Sequence, residues 1–244
     1  ISSVRSGVGD TTKLPTNLKL PEIAAFHREI LAQLNLGEIC IGGQCSGGIY
    51  ALQLAQLLGA SCKGVLLVDT GAPLKNAAMV NQMPLAPRRL FLAARFFPVA
   101  LRTPYKMAAT DFYSGPQGEE RGVQYFVEGS PHDGQSISDP AIWDFVKNNF
   151  DYVMRNWEQA IKDVRFWASD TSGLTGQIIQ STPVTYLQGR ENLLFPAHHV
   201  EVMAQSHPNV TAHIVDDESQ LLIYRRPDMF TSALETCLNT VAKP

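Results

Sequence analysis

The apolar residues of this chain switch between two periods, and the switches outline its elements. After a polar loop from Lys13 to Leu20, Pro21 is placed to open a helix. Ile23, Phe26, Ile30, Leu31 and Leu34 then follow at helical spacing as far as Asn35–Gly37. A short apolar run, Glu38 to Gly42, reads as a strand. The pattern Ile49, Leu52, Leu54, Ala55, Leu57 and Leu58 reads as the helix after it. Lys63 to Asp69 is almost wholly apolar, as expected of a buried parallel strand. From about Gly71 to Thr182 only helical patterns occur. Leu90 to Leu101 is apolar on most sides, and Ser138-Asp139-Pro140 caps a helix over Ala141–Phe150. Val153, Trp157, Ile161 and Val164 carry the helical period on from Asp151 to Trp167. Strands return at Pro183–Leu187 and Asn209–Val215, alternating with helices over Ala197–Gln205 and Asp228–Val241. Ile1–Val4 reads as an opening strand that enters the Gly-rich turn Arg5–Asp10.

Strand–helix alternation interrupted by one helical block predicts an α/β fold: a mostly parallel sheet with flanking helices and an inserted helical cap. The predicted core is 1–72 with 183–244, and the predicted cap is 73–182. Because the chain opens on a strand rather than on an initiator methionine, it is expected to begin inside a fold, as a fragment, a processed product or an excised domain.

Composition narrows the function classes. The 244 residues are 45% apolar and 18% charged with a net charge of −3, which fits a globular protein and carries no basic footprint for nucleic acid in this segment. No apolar run reaches the length of a membrane span and no signal-peptide pattern is visible, so the expectation is a cytoplasmic protein without a membrane partner. The four cysteines, Cys40, Cys45, Cys62 and Cys237, lack metal-ligand spacing and read as reduced thiols; no metal or cofactor is expected.

The candidate chemistry lies in Gly43-Gln44-Cys45-Ser46-Gly47-Gly48, between the strand at 38–42 and the helix from Ile49. A strand that turns sharply into a helix through one reactive residue strains that residue's backbone. Glycines two positions before and after it, here Gly43 and Gly47, remove side chains that would collide. Cys45 is therefore the candidate nucleophile, in a nucleophile elbow with cysteine where serine is usual. The helix N-terminus would favour thiolate, and the Ser46 N–H would donate to an oxyanion.

With these residues the chain resembles the α/β-hydrolase family. Ser3 to Asp10 looks like the family's fourth strand and following turn, and Gly43 to Gly48 matches the elbow. Pro183–Gly189 resembles the seventh strand, and Ile214–Phe230, with Pro227-Asp228-Met229-Phe230, the eighth strand and final helix. In the family the first strands and the loop with the second oxyanion donor lie upstream of the fourth strand, so the resemblance implies that this chain does not contain them. It also implies an acid after the seventh strand and a histidine after the eighth. This chain has Asn192 at the acid position and Gln220, or Ser219 with a one-residue shift, at the histidine position. A neutral amide does not accept a proton near neutral pH. Glu191, Asp216, Asp217 and Glu218 read as loop acids. His198, His199, His207 and His213 read as structural or exposed residues, and Asp69 as a strand-end residue that caps a turn.

Cysteine elbows resemble those of dienelactone hydrolases and polyhydroxyalkanoate synthases, and the cap resembles those of hydrolase-like modules fused to other domains in multidomain regulators. Two readings stay open. One is a ligand-binding, regulatory or catalytically impaired hydrolase-like domain fused to an upstream partner. The other is an active ester, thioester or lactone hydrolase, or an acyltransferase, that uses Cys45. Both expect a small acyl or aromatic ligand near Gln44 and the cap aromatics Trp143, Phe145 and Trp157. Self-association as a homodimer stays open as well.

Overall fold

Four parallel strands, hydrogen-bonded in the order β1-β2-β3-β4, organise the larger part of the chain in a computed structural model. The structure describes residues 18–72, 80–128, 130–169, 178 and 181–239. The expected opening strand and Gly-rich turn at 1–10 lie outside the described residues. Helix α1 (Leu20–Gln33) leads in, with Pro21 in its first turn and the Lys19 N–H donating to the Glu22 carboxylate at 2.6 Å. It is followed by β1 (Ile39–Gln44), α2 (Gly47–Leu58) and β2 (Cys62–Val68).

The chain divides into two compact units. Leu85–Ser169 belongs to one, and Leu18–Pro84 with Asp170–Pro244 forms the other.

In the helical unit, α3 (Leu85–Phe96) and a single 3-10 turn (Pro98–Leu101) lead into α4 (Arg102–Phe112), α5 (Pro116–Val127) and α6 (Pro131–Ser136). Helices α7 (Pro140–Arg155) and α8 (Trp157–Ala168) complete it. The Asp139 side chain accepts the Ala141 N–H at 2.8 Å, so the predicted cap and first-turn proline are both in use. One expectation fails here. The apolar period runs unbroken from 141 to 167, yet Asn156 leaves helical geometry (φ −119°, ψ 35°) and splits α7 from α8. Its side chain donates to the Tyr152 carbonyl at 3.0 Å, an alternative bond of the kind by which asparagine competes with helix continuation. Ala109, Phe112, Phe150 and Met154 form a core inside this unit, with Tyr105, Val153 and Trp157 packed on it.

In the sheet unit, β3 (Val184–Gly189), α9 (Ala197–Ser206), β4 (Val210–Val215), α10 (Leu222–Arg225) and α11 (Pro227–Asn239) complete the alternation. Helix α11 packs over β2 and β3 on a core of Leu66, Val68, Leu187, Val215, Leu222, Ala233 and Cys237. The alternate strand residues Val65, Leu67 and Tyr186 are fully buried as well, so both faces of the sheet are covered. All four strands run the same way. The segments after β1, β2, β3 and β4 therefore gather at one carboxyl edge, where open parallel sheets place their ligands.

Candidate functional site

Cys45 follows the last residue of β1 and has φ +48°, a left-handed conformation that strains a residue carrying a Cβ. Three hydrogen bonds hold it there. The Cys45 N–H donates to the Val68 carbonyl at 3.0 Å. The Cys45 carbonyl accepts the Gly48 N–H at 3.2 Å and the Thr70 hydroxyl at 2.5 Å. Ser46 is already helical (φ −62°) and caps α2. Its N–H makes no hydrogen bond among the described residues, so this first-turn donor is available to an oxyanion beside the thiol.

The glycine requirement differs from the sequence expectation. A Cβ on Gly43 would lie 2.7 Å from the Gly47 carbonyl oxygen, so that position needs glycine for close backbone approach. A Cβ on Gly47 would meet nothing within 4 Å. The demanding downstream position is Gly48, where a Cβ would overlap the Thr70 side chain. The bend is tight because the first turn of α2 presses on Thr70, two residues past the end of β2, not because Gly47 is crowded.

Thr70 also begins a buried polar relay that composition and periodicity do not reveal. Its N–H donates to Gln188 Oε1 at 3.1 Å, and Gln188 Nε2 donates to the Phe195 carbonyl at 2.7 Å. The Phe195 N–H in turn donates to Asn192 Oδ1 at 2.8 Å. The elbow is thus tied through β3 to the loop that carries Asn192. Asn192 is 2% exposed; its oxygen is used inside its own loop, and its Nδ2 has no acceptor among the described residues. The only sequence signal for this relay was a polar residue, Gln188, inside a fully buried strand.

Asp69 is buried with φ +45°, and its Oδ1 accepts the Gly189 N–H at 3.0 Å, which joins the ends of β2 and β3. After β4, Asp216 and Asp217 are exposed and Asp216 pairs with Arg190. Glu218 lies in the same loop but is buried and bridged to Arg225 at 3.1 Å. Its carbonyl also accepts the Glu191 N–H at 2.9 Å, so the loops after β3 and β4 adjoin. Gln220 is half-buried in the second of these loops, between buried Ser219 and Leu221.

His198 and His199 open α9 with ring centroids 4.1 Å apart, His207 caps its C-terminus and His213 lies within β4. Gln44, Cys45 and Ser46 are contiguous on the elbow. Trp143 and Phe145 lie on α7, and Trp157 opens α8 against the core of the helical unit.

The remaining thiols are packed into the sheet unit. Burial pushes Cys62 up to about 11 and Cys237 up to about 12, and it raises Cys40, whose Sγ donates to the Cys237 carbonyl at 3.5 Å. The Tyr186 phenol, fully buried on β3, is raised by the same cause.

The fold has clear structural counterparts. An esterase from Thermogutta terrifontis, solved with malate bound, superposes with TM-score 0.66 at 18% identity, over 98% of this chain and 79% of that one. An esterase from Exiguobacterium antarcticum gives TM-score 0.68 at 16% identity, over 95% and 78%. An N-acyl homoserine lactone degrading enzyme gives 0.62 at 17%, over 95% and 80%. At these identities the likeness is one of fold. Among curated proteins, none matches the sequence. The sequence profile of the alpha/beta hydrolase fold matches residues 5–226, nearly the whole chain. With the strained elbow and the parallel sheet behind it, that match makes this chain a member of the α/β hydrolase fold family.

Proposed function

We propose that this chain is a catalytically impaired hydrolase-like domain that binds a small acyl ligand at the Cys45 elbow and serves a regulatory role in a larger protein. The observation that carries this reading is a contrast within one sheet edge. The elbow keeps its strain and its free first-turn N–H, while the acid and histidine positions hold the amides Asn192 and Gln220. Asn192 Oδ1 is moreover committed to the Phe195 N–H.

The chemistry separates into two halves. In the first, the Cys45 thiolate attacks an ester or thioester carbonyl, the Ser46 N–H steadies the oxyanion, and the C–O or C–S bond breaks. The leaving alcoholate or thiolate takes a proton from water. Cysteine manages this step without much help, since an ordinary thiol is already a few per cent thiolate near neutral pH. In the second half, water must lose a proton as it attacks the acyl-cysteine. General-base assistance there is worth about 10²–10⁴-fold. Neither Asn192 nor Gln220 is a base, so acyl transfer to Cys45 outruns release.

A second reading, an active ester, thioester or lactone hydrolase using Cys45, draws support from the intact elbow and the esterase-like neighbours. Intact-mass analysis after exposure to p-nitrophenyl butyrate separates the two, with Cys45→Ala and Cys45→Ser as controls. An adduct on Cys45 that persists supports the impaired domain. An adduct that forms and clears with many turnovers supports the hydrolase. If the wild type takes up no acyl group and binds no acyl ligand, both fail.

A further inference from the structure

The helical unit carries a feature that the elbow chemistry does not use. Between Leu85 and Thr110 the sequence has five basic residues and no acidic one, in a chain whose net charge is −3. Four of these, Arg89, Arg95, Arg102 and Lys106, have no carboxylate partner among the described residues.

The same stretch exposes large apolar side chains. Phe96 is 60% exposed, Phe97 71%, Val99 71% and Met107 67%. On α3, Leu85, Arg89, Leu92 and Phe96 recur at i, i+4, i+7 and i+11. They form one outward stripe, opposite the buried Phe91 and Ala94. On α4, Met107 lies across the helix from the buried Ala109 and Phe112. Phe97, Pro98 and Val99 form the turn between the two helices, and the Arg95 guanidinium stacks 5.3 Å from the Phe96 ring centroid.

An aromatic tip bordered by unpaired cations is the composition of a surface that inserts shallowly among lipid headgroups. The aromatic and aliphatic ends enter the acyl boundary, while arginine and lysine remain at the phosphate level. Aromatic residues, methionine and arginine are enriched where proteins meet as well, but here four unpartnered cations stand in a stretch without one acidic residue, a charge that an anionic lipid surface complements. No helix of the described residues is long and apolar enough to cross a membrane. We infer that the α3–α4 segment is a membrane-docking surface selective for anionic bilayers, with Phe96, Phe97 and Val99 as the inserting tip. The expectation of no membrane partner rested on the absence of a spanning segment, which says nothing about a docking face.

Vesicle co-sedimentation tests this with the chain as it stands, using phosphatidylcholine vesicles with and without phosphatidylglycerol. The expected result is binding to the anionic vesicles only, weakening as salt is added. Phe96→Ser with Phe97→Ser, and separately Arg89→Glu with Arg95→Glu, should each reduce that binding by at least about tenfold, on the scale of roughly fivefold per basic residue. These side chains are exposed, so circular dichroism and the rate of Cys45 alkylation should match the wild type. Three results would overturn the inference. They are no sedimentation with either vesicle, equal sedimentation with neutral vesicles, and wild-type self-association that the Phe variant abolishes. The last would make the tip an interface between two copies.

Discussion

The Thr70 hydroxyl donates a 2.5 Å hydrogen bond to the carbonyl of Cys45, 25 residues earlier in the chain. That contact fixes the bend from the side of β2, and the crowding at Gly48 shows how little room is left around it. Thr70→Val keeps the shape and removes the donor. The loss of a buried hydrogen bond should cost about 1–2 kcal/mol, or a fall in Tm of roughly 2–8 °C for a chain of this size. Cys45 should also change its rate of alkylation by iodoacetamide, because its strained backbone is no longer held. Thr70→Ser, which keeps the donor, should restore the alkylation rate, and a Val variant with an unchanged rate would remove Thr70 from the positioning argument.

The two glycines that flank the nucleophile should behave in opposite ways. Gly43→Ala puts a methyl 2.7 Å from a backbone oxygen that has no freedom to move, so destabilisation of about 1–3 kcal/mol or more is expected. Gly47→Ala places a methyl in open space at the start of a helix. Stability should hold or rise by about 0.5–1 kcal/mol, because the unfolded chain loses freedom. Urea unfolding of the two variants side by side measures the contrast.

How legible was this site in the sequence? The elbow was readable because backbone strain makes local demands: a strand, a helix and glycine at fixed offsets. Even so, the sequence placed the downstream requirement on Gly47, whereas the clash that matters comes from Thr70, distant in sequence, against Gly48. The Thr70–Gln188–Phe195–Asn192 relay was invisible for the same reason, since each bond joins residues that only the sheet order brings together. The sheet strands were legible to within a residue or two because their apolar runs are short and bounded. The α7–α8 break at Asn156 was not, because the apolar face continues across it.

Alkaline pH should destabilise the sheet unit through its buried thiols. Cys62 and Cys237 are raised to about 11 and about 12 by burial, against an ordinary value of 9.0. Below pH 9 both states hold these protons, and the stabilisation is complete. Above it the unfolded chain loses them first, so the native state binds more protons and stability falls as pH climbs towards the folded values. Urea midpoints in the presence of reductant should therefore drop between about pH 9 and pH 11. Cys62→Ala with Cys237→Ala lowers stability at neutral pH by opening cavities, yet it should flatten that alkaline slope. An unchanged slope in the double variant would assign the loss to other groups.

Placing an acid at 192 and a histidine at 220 tests the proposed impairment directly. Asn192→Asp keeps the oxygen that accepts the Phe195 N–H and replaces an amide nitrogen that has no acceptor among the described residues, so the fold should tolerate it. Alone it should not speed deacylation, because a carboxylate at that position has no imidazole to orient. Gln220→His alone supplies a base whose orientation is unsupported, and a modest gain is expected. The pair Asn192→Asp with Gln220→His should accelerate clearance of the Cys45 acyl adduct by about 10²–10⁴-fold, the usual worth of general-base catalysis. The acylation step should change far less. Single-turnover intact-mass kinetics read the two steps separately. If the double variant releases its acyl group no faster than the wild type, the amides at 192 and 220 are not what arrests this elbow.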